Sequence, residues 1–190
     1  MLTGELMTSA TITDRLVTLS RALIGRIRGG LAQVNVLVSM FFAGMNGSVV
    51  ADTATVGALV LPAMKKAGYP AAFSAAVTGV SSTIGGIIPP SIMMIVLANS
   101  TEISIASLFA AGIIPGVLIG VVIMIINHYF AIKYNFERSD EPFSIRRAGK
   151  ELYRSSFALL IPLVLVGSVL GGVASVVEAG AITAMVALFT

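Results

Sequence analysis

The 190-residue chain has no cysteine and only one histidine. Disulfides, thiolate zinc sites and thiol catalysis are therefore excluded within it, and its redox compartment is unreadable. A membrane enzyme would need a nucleophile–base pair or a metal cluster. One histidine, no cysteine and no paired acids do not supply one, so the chain reads as a non-enzyme that needs no cofactor. Charge is just as scarce, at 11% Asp, Glu, Lys and Arg against about 25% in ordinary globular proteins. Soluble enzymes, DNA-binding modules and disordered tails all need more. The net charge of +3 does not point to nucleic acid, because the basic residues lie between apolar stretches. Met1 to Ser9 has no basic n-region and holds Glu5 where an apolar core would be, so it does not read as a signal peptide. The apolar pattern runs into Thr190 without a polar flank, and a fragment is expected.

What remains is apolar: 56% hydrophobic residues and a mean hydropathy of +0.97. Ala67 to Thr101 has no charged side chain, Ile103 to Ile132 only His128, Leu31 to Met64 only Asp52, and Ser155 to Thr190 only Glu178. A membrane span takes roughly 20 mostly apolar helical residues. Four such stretches predict an all-α, multi-pass integral membrane protein in contact with lipid. Lys and Arg accumulate on the cytoplasmic side of short loops. The islands Arg15/Arg21/Arg26/Arg28, Lys65/Lys66 and Lys133 to Arg154 therefore belong inside, and Asn99 to Glu102 outside.

Two stretches are interrupted. Residues 31–64 must start and end on the inside, yet Asn46, Gly47, Ser48 and Asp52 break them into about 15 and about 12 residues, roughly 22 and 18 Å of helix. The hydrocarbon layer is about 30 Å thick, so a re-entrant hairpin is expected, its tip buried in protein or facing a wet cavity. In 67–101, Gly85-Gly86-Ile87-Ile88-Pro89-Pro90-Ser91 places two prolines mid-span, each removing an amide donor and disfavouring helix before it. The pattern predicts a half-helix over 70–84, an unwound segment and a second half-helix from about Pro90. Residues 103–132 form the return span, with Gly112, Gly116 and Gly120 lining a close-packing face. Gly167 and Gly171 repeat that spacing, and Gly171-Gly172 with Glu178 marks a further interruption. The organisation is a lead-in at 1–30, a membrane domain at 31–132, a cytoplasmic connector at 133–154 and truncated membrane segments at 155–190. The lead-in carries Leu16, Leu19, Leu23, Ile24 and Ile27 at helical spacing. The connector, with Phe136, Phe143, Ile145, Leu152 and Tyr153, reads as partly amphipathic helix on the membrane surface.

Broken helices put dipole ends inside the membrane. The C-terminal end of the first half-helix offers carbonyls suited to Na⁺, and the N-terminal end near Pro90-Ser91 offers amides suited to a carboxylate. Paired broken elements near the midplane point to a secondary transporter's binding site. Here the pair is 46–52 with 85–91, flanked by the hydroxyls of Ser48, Thr53, Thr55, Ser81, Ser82, Thr83 and Ser91. A pore would want rings of like charge, and Asp52 alone makes none.

The runs Gly44-Met45-Asn46-Gly47-Ser48-Val49-Val50-Ala51-Asp52, Pro62 to Tyr69, and Ser81 to Ser91 resemble the large membrane subunit of TRAP transporters, the DctM type. Gly4-Glu5-Leu6-Met7, Arg28 to Val36 and Ala110 to Gly116 are similar to the same family in the same order. The resemblance implies about half of an inverted-repeat, elevator-type, Na⁺-coupled importer of small organic acids such as C4-dicarboxylates or sugar acids, in the bacterial inner membrane. It implies a small membrane subunit of the DctQ type and a periplasmic solute-binding protein as partners. It places a sodium site at Asn46, Ser48, Gly85, Ile88 and Pro90, and Asp52, Ser82, Thr83 and Ser91 on the substrate side. Asn46 stands where the family has serine and Gly86 where it has proline. The family's length, about twice this one, implies that 190 residues alone do not transport. The alternatives are another transport or pore module with re-entrant helices, or a non-functional truncated subunit.

Overall fold

The computed structural model describes residues 10–24, 27–136 and 145–188. Among these, every regular element is helical: α1 (Ala10–Ile24), α2 (Gly30–Asn46), α3 (Val49–Lys66), α4 (Ala71–Ser82), a 3₁₀ turn (Thr83–Gly86), α5 (Ile92–Thr101), α6 (Ile105–Lys133), α7 (Ile145–Arg154), α8 (Ser156–Leu170) and α9 (Val176–Leu188). The Gly4–Met7 motif, Arg26, Arg138 and Phe143 lie outside the described residues.

The organising element is α2. It is apolar on nearly every side, and a helix of that kind is stable only when surrounded. It packs against α1, α3, α4, the 3₁₀ turn, α6 and α8. Val34, Val36, Val38 and Phe42 are buried with Val56, Val60 and Met64 of α3 and Ile84 of the 3₁₀ turn. Two polar side chains tie α2 to α6: the Gln33 amide donates to the Met124 carbonyl at 2.8 Å, and the Asn127 amide donates to the Ala32 carbonyl at 3.4 Å.

The 31–64 stretch is two antiparallel helices with Gly47 and Ser48 between them. They are longer than the expected pieces, at 17 and 18 residues, or about 26 and 27 Å. Asp52 does not interrupt: Ser48 caps α3, and Asp52 lies in its first turn, where a carboxylate complements the helix dipole. The 67–101 stretch breaks as expected, in a 3₁₀ turn followed by five non-helical residues before α5. Only α6, at 29 residues, is long and apolar enough among the described residues to cross a membrane by itself. Ile114, Leu118, Val121, Ile125 and Tyr129 on its outer face stay exposed.

The glycine stripe of α6 packs on the broken helix and the hairpin. A Cβ on Gly112 would lie 2.5 Å from the Ile87 carbonyl oxygen, one on Gly116 2.5 Å from Ile88 Cγ1, and one on Gly120 2.5 Å from Met40 Sδ. Gly167 differs from the reading given above: a Cβ there meets nothing within 4 Å, so it does not close a helix seam among the described residues. Gly171 ends α8. Phe136 also departs from a membrane-surface role. Its ring stands 4.5 Å from that of Tyr69 and 5.2 Å from that of Phe73, clamping the start of α4 to the end of α6. In the lead-in helix Leu16 and Leu19 are fully buried, whereas Leu23, and Ile27 beyond the helix, are exposed.

The second interruption, at 171–175, is set by a reciprocal cap. The Ser175 amide and hydroxyl donate to Glu178 Oε2 at 2.8 and 2.7 Å, and the Glu178 amide donates back to Ser175 Oγ at 3.4 Å. That is a capping box opening α9.

Gly112→Val is expected to lower stability by about 1–3 kcal/mol, because a backbone carbonyl cannot step aside as a flexible side chain can. Gly167→Ala is expected to be neutral or to stabilise by up to about 1 kcal/mol. Thermal unfolding of both variants in detergent checks the contrast.

Candidate functional site

The two helix breaks meet. The Ile92 amide, first in α5, donates to the Gly47 carbonyl of the hairpin tip at 3.3 Å. A Cβ on Gly85 would sit 3.7 Å from the Ser48 carbonyl carbon and the Val49 nitrogen. One on Gly47 would collide with the Pro90 carbonyl oxygen. Gly47 also has a φ of 60°, a left-handed conformation that costs other residues roughly 1–2 kcal/mol. Conformation and contact thus both require glycine there. The contact joins the C-terminal end of α2 and the N-terminal end of α3 to the corresponding ends of the broken helix.

Local side chains cap what they can reach. Asn46 Oδ1 accepts from the Ser48 amide at 2.8 Å, so the asparagine holds the tip through its side-chain carbonyl. Ser48 Oγ accepts from the Ala51 amide at 3.4 Å. Ser91, fully buried, does the same for α5, accepting from the Met94 amide at 3.3 Å and donating to the Gly86 carbonyl at 2.7 Å. The carbonyls of Gly85, Ile88 and Pro90 accept no hydrogen bond among the described residues, and the amides of Val49, Val50 and Met93 make none. Bare carbonyls suit a hard cation, and bare amides at helix N-termini suit an anion. Both kinds occur within one contact.

The five residues expected at a sodium site, Asn46, Ser48, Gly85, Ile88 and Pro90, are therefore gathered at this junction, with Gly85 buried and the others half-buried. The four expected on the substrate side divide. Thr83 is exposed, its hydroxyl donating to the Val80 carbonyl at 2.7 Å. Asp52, Ser82 and Ser91 are each 0% exposed.

Beneath the tip lies a buried polar layer of which only the Ser81 and Ser82 hydroxyls were anticipated. Asn35 and Ser39 of α2 face Ser74, Thr78, Ser81 and Ser82 of α4, and each is 0–3% exposed. The Asn35 amide donates to Thr78 Oγ1 at 2.7 Å, and Ser81 Oγ donates to Asn35 Oδ1 at 3.1 Å. Their spacing is the signal that could have found them. Asn35/Ser39 and Ser74/Thr78/Ser81 recur at three and four residues, a polar stripe along one face of otherwise apolar helices.

The family model described as the DctM component of the tripartite ATP-independent periplasmic transporter matches residues 1–190. The sialic acid TRAP transporter large permease protein SiaM of Vibrio cholerae is 34% identical over 189 residues, covering 100% of this chain and 44% of that protein. The C4-dicarboxylate TRAP transporter large permease protein DctM of Pseudomonas aeruginosa is 35% identical with the same coverage. The 2,3-diketo-L-gulonate TRAP transporter large permease protein YiaN of Escherichia coli is 36% identical, again over 44% of its length. The chain thus spans under half the length of these curated relatives.

Gly47→Ala is expected to destabilise the protein by more than the roughly 1–2 kcal/mol of a left-handed alanine, because the methyl group also displaces Pro90. Gly85→Ala, with ordinary contact distances, is expected to cost less. Denaturation midpoints of the two variants check the order.

Proposed function

The chain belongs to the DctM family of large permease subunits of tripartite ATP-independent periplasmic transporters, and on that premise we propose that it forms part of a Na⁺-coupled importer of small organic acids. Under this reading α2 and α3 are a re-entrant hairpin entered from the cytoplasm. At about 26 and 27 Å they fall short of a hydrocarbon layer about 30 Å thick. The broken helix beside them crosses outward through α4 and α5, and α6 returns.

The observation that carries the proposal is the direct contact between the two breaks, the Gly47 carbonyl with the Ile92 amide and Gly85 with Ser48. Na⁺ would take the unpartnered carbonyls of Gly85, Ile88 and Pro90, with Asn46 and Ser48 closing from the tip. The carboxylate of the organic acid would face the free amides of Val50 and Met93 and the exposed hydroxyl of Thr83. Asp52, Ser82 and Ser91 would shape that floor from beneath. Opposite charges bound at opposite dipole ends favour each other's binding, which is what coupling requires.

Relatives named for sialic acid, C4-dicarboxylates and 2,3-diketo-L-gulonate share a carboxylate, so the common anion-binding end fits the class and not one cargo. Delivery by a periplasmic binding protein, a small membrane subunit of the DctQ type, an inner-membrane location and an elevator-like movement of the hairpin with the broken helix complete the proposal. The segment would supply one half of the machinery.

In a full-length permease carrying this segment, Ser48→Ala is expected to depress Na⁺-dependent uptake of the organic acid about tenfold or more, the loss of a hydrogen bond to a charged group, with membrane abundance retained. Unchanged uptake at limiting Na⁺ would remove the tip from the site. Cysteines placed at Lys66 and at Asn99 are expected to label from opposite faces of sealed vesicles. Labelling from the same face would contradict the topology.

A further inference from the structure

The long helix α6 ends in a group of rings and bases that the transport site does not use. Asn135 adopts a left-handed conformation with a φ of 49°. The Phe136 amide donates to the Ala131 carbonyl at 3.0 Å, and the Asn135 amide to the Ile132 carbonyl at 3.3 Å. That cap turns the chain back on itself and sets Phe136 against Tyr69 and Phe73. Tyr134 stacks on Phe130 at 5.9 Å and on Phe136 at 6.0 Å. The Lys133 ammonium stands 5.8 Å from the centre of the Tyr134 ring, an attraction that holds the charge in place. Tyr69, Phe73 and Phe136 brace one another, whereas Tyr129 and Tyr134 are 63% and 56% exposed.

The bases of this end are equally open. Lys133 and Arg28 are exposed beside the Asn135 turn, with the Arg28 guanidinium donating to Asn135 Oδ1 at 3.5 Å. Lys65 and Lys66, also exposed, end α3 just before Tyr69. None of the four makes an ion pair among the described residues. The opposite end of α6 has neither feature: Thr101, Glu102, Ile103 and Ser104 lead into it without a ring or a base.

Basic residues that only set orientation need charge and nothing more. Here the charge is fixed to a braced ring platform at a defined depth. At 29 residues α6 is about 43 Å long, against about 30 Å of hydrocarbon and about 40–45 Å with the headgroups. Its last turn therefore stands among headgroups, where tyrosine rings settle, and Lys133 reaches the level of the phosphates. Toward the membrane centre, Val121, Ile125, Tyr129 and Ile132 follow at helical spacing on one exposed face. An apolar ridge, an amphipathic ring and an ammonium, in that order, match a phospholipid from tail to phosphate. We propose that this end of α6 docks an anionic phospholipid of the cytoplasmic leaflet. Its acyl chain lies on the ridge and its phosphate meets Lys133 between Tyr129 and Tyr134. Arg28, Lys65 and Lys66 supply the surrounding positive field. Bases without acid partners favour an anionic headgroup over a zwitterionic one, which carries its own cation. A free phosphate would find the charges but not the ridge.

The leaflet rests on the topology proposed above. The binding does not, because lipid binding in detergent has no sidedness. The test is native mass spectrometry of a purified full-length permease carrying this segment, titrated with phosphatidylglycerol or phosphatidylcholine. Lys133→Gln is expected to weaken one class of phosphatidylglycerol site about fivefold, the worth of one basic residue beside an anionic surface. Lys133→Gln/Arg28→Gln is expected to weaken it further, with phosphatidylcholine binding unchanged, and Lys133→Arg to restore the parent's affinity. Inorganic phosphate is expected to leave the bound lipid in place. Should the glutamine variants fail to fold, competition in the parent decides, and phosphatidylglycerol is expected to displace phosphatidylcholine. Unchanged phosphatidylglycerol affinity in both glutamine variants, or no preference between the lipids in the parent, would overturn the site and leave the transport reading intact. Displacement by inorganic phosphate would overturn it in favour of a soluble anion.

Discussion

Everything in this fold answers to peptide groups left bare where two helices stop among apolar neighbours. An unsatisfied backbone group in such surroundings costs several kcal/mol, and each break creates a set of them, carbonyls on one side and amides on the other. The chain meets part of that cost by turning the breaks on each other. The Gly47 carbonyl takes the Ile92 amide, Asn46 and Ser48 cap the tip, and Ser91 caps α5 while closing on Gly86. The groups left over, at Gly85, Ile88, Pro90, Val50 and Met93, are those an ion pair would complete.

The surrounding architecture keeps the two breaks in register. α2 is wrapped on most sides, so the tip it carries has a fixed position. The glycine stripe of α6 lets that long helix come close enough to press on Ile87, Ile88 and Met40. The aromatic group of Tyr69, Phe73, Phe130 and Phe136 locks the far end of the assembly, where α4 begins and α6 ends. Between the two ends lies the hydroxyl and amide layer centred on Asn35 and Ser81, which fixes the rotation of α2 against α4 as an apolar seam would not. Sparse charge gives each polar group unusual leverage, since few others compete for it.

Much of this was legible in the residues. Two prolines after two glycines can hardly remain helical, and Asn-Gly-Ser is a turn in most settings, so both breaks were found where they occur. The glycines of α6 also spoke plainly, because a repeat of four on an apolar helix has few other uses. Helix length was harder. Asp52 read as an interruption because it is charged, whereas its place just after a serine cap makes it a favourable first-turn residue, and α3 starts before it. Gly167 shares its spacing with a true packing stripe, and only the tertiary arrangement shows that nothing stands opposite. Beyond Ser81 and Ser82 the polar layer escaped notice, because serine and threonine within apolar runs carry little signal singly. Their meaning came from the facing Asn35 and Ser39, which lie some forty residues away in sequence.

If the breaks define the site, then holding an ion and an anion and moving them together become one property of one rigid junction, and family relatives with different cargoes can share it. The proximity of the two breaks is thus the claim to test first. The chain has no cysteine, so a pair introduced as Ser48→Cys and Gly85→Cys has no competitor within it. Oxidation of that double variant in membranes is expected to form a disulfide in high yield, seen as two fragments that stay joined after cleavage at a site inserted near Gly68. Free, independently alkylated thiols under the same oxidant would contradict the meeting of the two breaks, and with it the account of the site.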